Sequence, residues 1–202
     1  MEETGIPDLI RFENQRELEG KRTSMSHRKS KALWPILAVA LLTPGAHACS
    51  VSGILSNVDL VKDADAVVRA RAVGYAKPPG DPGVWTTGVP DSKVRFQVIE
   101  TVRGQAVAEV VLPGYLVATD DFNDKPSPYT FVRPGGRSGS CFANSYRTDA
   151  QYLLFLKKTK AGDLTVNWAA LAPVNEQLHS ADDPWLVWVR EQAEKLKAAR
   201  DF

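Results

Sequence analysis

The sequence predicts an all-β domain with appended helices: five short strands in a small closed or partly closed antiparallel barrel, then a C-terminal α-helix. Three observations carry this. Apolar and polar residues alternate with period two in several short stretches, and Gly- and Pro-bearing turns separate those stretches. Only from Pro184 onward does the apolar pattern change to helical spacing.

Asn57 to Ala64 fits a short helix leading into the first strand, Ala66 to Tyr75, in which small or apolar residues alternate with Arg69 and Arg71. Lys77 to Asp91 holds four prolines and three glycines and reads as a long, stiff loop. The second strand, Lys93 to Val102, sets Val94, Phe96 and Val98 against Lys93, Arg95 and Gln97. Arg103-Gly104-Gln105 turns the chain into a third strand, Glu109 to Pro113. Gln151 to Lys157 is an apolar run expected deep in a sheet, and the turn Lys160 to Asp163 pairs it as a hairpin with Leu164 to Trp168. At the end, Asp182-Asp183 and Pro184 form a cap and first turn, and Trp185, Val189, Ala193, Leu196 and Ala199 recur on one helical face. Trp185 and Trp188 are expected to pack on the barrel.

The chain has 202 residues, 44% apolar and 24% charged. Residues 33–42 form a ten-residue apolar run behind Arg28, Lys29 and Lys31, followed by Thr43-Pro44-Gly45 and Ala46-His47-Ala48. Basic region, short apolar region and small-x-small site describe a secretory signal peptide, too short for a bilayer span of about 20 residues. The domain reading is therefore residues 1–24 as a mis-called start or extension ahead of Met25, 25–48 as signal peptide, 49–180 as the barrel and 181–202 as the helix. Residues 1–48 hold 7 of the 25 Lys/Arg and 6 of the 24 Asp/Glu, so the exported part carries 18 of each and no net charge. Nothing in that balance suggests a nucleic-acid surface.

His27 and His47 leave with the leader, so His179 is the one histidine of the exported part. A nucleophile–base–oxyanion set cannot be assembled around it, a His/Cys zinc cage lacks ligands, and no enzyme or cofactor is expected. Two loops offer charged side chains. Asp120-Asp121-Phe122-Asn123-Asp124 lacks the ordered spacing of a calcium loop and reads as a solvated acidic loop. Arg133 to Ser140 is glycine-rich and basic but is no phosphate-binding loop, and reads as a flexible segment delivering Cys141. Arg69 and Arg71 read as a solvated stripe, and His179 as a surface histidine.

The remaining cysteines are Cys49 and Cys141, and after export two cysteines read as one disulfide. Cleavage after Ala48 makes Cys49 the first residue, with a free α-amino group of pKa about 7.7–8.0. That amine and the Cys49 carbonyl can chelate a metal on a partner, and the disulfide would preorganise them. Lipidation of Cys49 is the rival, but Ala46 and His47 stand where a lipoprotein signal usually has Leu and a small residue.

Taken in order, Cys49-Ser50, the strand Asp65 to Gly74, the strand Val94 to Gly104, Cys141, Tyr152 to Lys157, Gly162 to Val166, and Ala172-Pro173 with Asn175 and Leu178 resemble the tissue inhibitors of metalloproteinases and the wider netrin-like module. The resemblance implies a five-stranded OB-type Greek-key barrel over most of residues 49–178. It further implies a secreted metalloprotease inhibitor. Cys49 would chelate the catalytic zinc of the target, Ser50 would enter the pocket beside it, and the loop Lys77 to Asp91 and the segment Ser140-Cys141 would flank the wedge. The chain departs from those inhibitors at Val51, where they carry a cysteine, and near Ala169-Ala170, where its partner would fall; their second, disulfide-rich domain is also absent. The alternative is an exported protein- or glycan-binding module, periplasmic or extracellular, without inhibitory activity.

Overall fold

A computed structural model of the chain describes residues 55–80, 89–137 and 141–199. The expected leader, Cys49, Ser50, Ser140 and most of the 77–91 loop lie outside these residues. The described part is mostly β, an antiparallel sheet with a C-terminal helix.

Helix α1 (Asn57–Asp63) starts where the Ser56 hydroxyl accepts the Asp59 N–H at 3.1 Å, and it buries Leu60 and Val61. Strands β1 (Ala66–Lys77) and β2 (Lys93–Arg103) pair antiparallel along most of their length, with four register shifts that bend the ribbon. At the end of β2, Gly104 takes φ +90°, and a Cβ there would sit 2.3 Å from the Asp65 carbonyl. Strand β3 (Glu109–Pro113) continues the meander beside β2. Strand β6 (Gln151–Lys158) pairs with the other side of β1, and β7 (Leu164–Val166) returns from it as a hairpin.

These five are the strands the alternation and the apolar run of β6 predicted, and they run in the order β3-β2-β1-β6-β7. Three further strands were not anticipated. The pair β4 (Tyr115–Val117) and β5 (Ser145–Arg147) forms a separate two-stranded parallel sheet. Strand β8 (Asn175–Gln177) joins β6 beyond the end of β7, making the main sheet six-stranded. Among the described residues β3 and β7 do not pair, so the sheet is open at that seam and no closed barrel is present.

The core lies on the inner face of this sheet. Val94, Phe96, Val110, Leu112, Tyr152, Leu154, Leu156 and Tyr146 are buried in it, and the rings of Phe96, Tyr146 and Tyr152 meet edge to face at 4.9–6.0 Å. Helix α2 (Pro184–Ala198) begins as expected, with Asp183 accepting the Trp185 N–H at 2.9 Å and Pro184 in the first turn. It buries Trp185, Leu186, Val189 and Ala193. No described helix is long and apolar enough to cross a membrane.

Candidate functional site

The only described residue of the expected Cys49–Ser50–Cys141 site is Cys141. It occupies the left-handed region at φ 62°, and its carbonyl accepts the N–H of Leu171, itself at φ 61°. The next residue, Phe142, meets Trp168 edge to face at 5.1 Å. Val89, Pro90, Phe142, Asn144 and Trp168 enclose a small apolar dimple. The C-terminal end of the long proline-rich loop, the Cys141 segment and the β7–β8 connection thus converge on one rim, where Val89 is 65% exposed.

The two charged loops depart from their sequence reading in part. Asp120 and Asp124 stay exposed, as in a solvated acidic loop, but residues 133–137 of the basic loop pair with the acidic one through Arg133 and Arg137. Arg133 is fully buried and its Nη1 donates to Asp121. Its Nε donates to the Asn175 carbonyl at 3.1 Å, and its Nη2 to the carbonyls of Ala143 at 3.1 Å and Ser145 at 2.8 Å. The guanidinium carbon stands 5.5 Å from the ring centroids of both Tyr146 and Tyr152. Around this hub Arg147 pairs with Asp120 at 3.0 Å and Arg137 with Asp124 at 2.6 Å. The three aspartates of the acidic loop are thus drawn to three different arginines and do not converge as cation ligands. Among the described residues no group of His, Cys, Asp and Glu is placed to hold a metal.

Glu176 completes the network from β8. It is fully buried, accepting the Arg133 N–H at 3.1 Å on one oxygen and the Asn123 side-chain amide at 2.8 Å on the other. Burial pushes its carboxyl up to about 7, against the opposing pull of Arg133 and the Asn123 hydrogen bond. Burial likewise raises the Tyr146 hydroxyl and takes Tyr152 to about 12, both against Arg133. A lone carboxyl pushed toward neutrality would suit acid–base chemistry. Here, however, four of the five N–H groups of Arg133 and both oxygens of Glu176 are spent on protein partners. The chemistry of this cluster is internal: it fastens the 118–147 excursion to β8.

The other candidates are also resolved. Arg69 is no solvated stripe: its side chain is 14% exposed and lies 3.6 Å from Glu100, while Arg71 is exposed. The His179 side chain is half exposed, stacks on Phe122 at a centroid distance of 4.0 Å and meets Asp183 at 3.1 Å. The sequence carried little sign of the Arg133 cluster. Asn175-Glu176-Gln177, a polar triplet between Val174 and Leu178, breaks every strand rule unless its side chains are satisfied from another segment.

A scan against protein-family models matches none, and no curated protein matches the chain in sequence.

Proposed function

We propose that residues 49–202 form an exported binding module of OB type whose working end is the rim around Cys141, and that its target is a zinc metalloprotease. The observation that carries this is the convergence of Val89-Pro90, Phe142, Asn144 and Trp168 at that rim. It sets Val89-Pro90, the end of one segment expected to flank an N-terminal wedge, beside Phe142, the neighbour of Cys141 in the other. The strand order β3-β2-β1-β6-β7, read from lip to lip, is compatible with a partly open five-stranded barrel. A Cys49–Cys141 disulfide would tether the first exported residue to the rim, and Cys141 is not a free thiol. In this reading the α-amino and carbonyl groups of Cys49 bind the target's zinc in place of its water, and the Ser50 hydroxyl fills the adjoining pocket.

The test compares the exported protein with a form acetylated at the Cys49 α-amino group, titrated against a panel of zinc endopeptidases. Acetylation removes the nitrogen lone pair, so inhibition should weaken by about a hundredfold or more, the scale of a lost metal ligand. Equal potency of the two forms sinks the wedge. The second reading, a binding module that never touches zinc, is favoured by Val51, which stands where the resembled inhibitors have a cysteine.

A further inference from the structure

Among the described residues, the seam between β3 and β7 has main-chain groups on both banks that no hydrogen bond uses. In the β2–β3 ladder the Val98 N–H bonds the Ala108 carbonyl, so Val110 and Leu112 turn their peptide groups toward β2. Those of Glu109 and Val111 consequently point outward. On the other bank the Asn167 N–H bonds the Phe155 carbonyl and the Thr159 N–H bonds the Asp163 carbonyl. That register turns Thr165 toward β6 and leaves the N–H of Leu164 and Val166, and the Leu164 carbonyl, facing the seam. No hydrogen bond among the described residues occupies these groups.

The two banks frame a groove of about 620 Å³, walled by Val107, Val110, Val111 and Leu164, with Lys93, Glu109 and Asp163 among its charged residues. Every step from β3 to β7 across the sheet is antiparallel, so the two lips run the same way. Joining them directly would make the only parallel pairing in this sheet. A strand laid between them in the opposite sense would be antiparallel to both.

We infer that this seam binds an extended segment of a partner polypeptide by strand addition. The segment runs antiparallel to β3 and β7, is about five residues long to match β3, and takes its hydrogen bonds from Val111 and Leu164. Main-chain pairing supplies affinity. Apolar residues at alternate positions of the segment face Val110 and Leu164, and the residues between them face solvent. The lips approach within 8 Å at their Cα atoms, so insertion requires them to part to two strand spacings, about 10 Å. Neither Cys49 nor Ser50 takes part, so the site stands or falls independently of the zinc wedge.

The probe is a displayed library of random nine-residue peptides selected on the full chain, with one winner synthesised. The expected peptide alternates apolar and polar residues, slows hydrogen exchange at the Val111 and Leu164 amides, and still binds after the Cys49 amine is acetylated. Val111→Pro and Leu164→Pro each delete an outward N–H that the present sheet does not use, a place where an edge strand tolerates proline. Each should weaken the peptide about tenfold, whereas Val111→Thr, which keeps the N–H, should not. Failure to select any peptide, or a peptide that leaves both amides unprotected, overturns the proposal.

Discussion

Glu176 shows how a single residue can tie stability to pH in the unusual direction. Its ordinary value is 4.5 and its folded value is about 7, so between these limits the folded chain holds a proton that the unfolded chain releases. Stability from this group is therefore fully present below 4.5 and is lost as pH rises through 7, by something of the order of 3 kcal/mol. Urea unfolding at pH 5 and pH 8 should show the protein weaker at pH 8. Glu176→Gln should flatten that difference while lowering stability at pH 5, because a side-chain amide cannot accept from both Arg133 and Asn123. An unchanged slope in the variant would place the titrating group elsewhere. Glu100 works in the opposite sense: hydrogen bonds from Arg190 hold its carboxyl below 4.5, so its contribution is lost only in acid. None of this was legible in the sequence. Arg133 and Asp121 sit in stretches rich in Gly, Pro and Asp, where solvated loop is the sound expectation, and only tertiary contact makes them a core pair.

At the scale of elements, the readable pieces were those with a periodic apolar pattern or, in β6, an unbroken apolar run. Strands β1, β2, β3, β6 and β7 each start at the expected residue, and α2 starts at Pro184 behind its Asp183 cap. Strands β4 and β5 are three residues each, too short to show alternation, and β8 is buried yet wholly polar. Helix α2 is held to the sheet by an apolar stripe and by Arg190, whose guanidinium donates to both oxygens of Glu100 on β2 at 2.8 and 2.6 Å. Trp185, fully buried between Tyr129, Phe155 and Trp188, outweighs the cap. Trp185→Ala should cost about 3–5 kcal/mol and Asp183→Ala about 1–2 kcal/mol in denaturant unfolding. The reverse order would mean that the cap, with its additional bond from the His179 N–H, anchors the helix more than the tryptophan does.

For the molecule as a whole, stability should be graded from the middle of the sheet outward. Strands β1 and β6 lie between β2 and β7, so the amides of Val68, Ala70, Leu153 and Phe155 should exchange with solvent only through global unfolding. The outward amides of Val111 and Leu164 should exchange fastest of any in the main sheet, and equal protection at centre and lips would show that the seam is closed in solution. The alternating pattern foretold which segments are strands but not their closure, since period two says which face is buried and nothing about where the sheet ends. Of the expected site, only Phe142, next to Cys141, and Val89-Pro90 at the end of the 77–91 loop are seen together, and the left-handed backbone at Cys141 and Leu171 is something neither side chain advertises. The open seam also has a consequence of parity. Around any ring of strands that alternate up and down, an odd count leaves one place where neighbours agree in direction, and five is odd. A hairpin insertion adds two strands and cannot change that, however often it recurs in the history of a fold. Only a single strand restores the alternation, and within one continuous chain a single strand must be followed by a long return. A second polypeptide needs no such return, which makes the mismatch a vacancy shaped for an outsider.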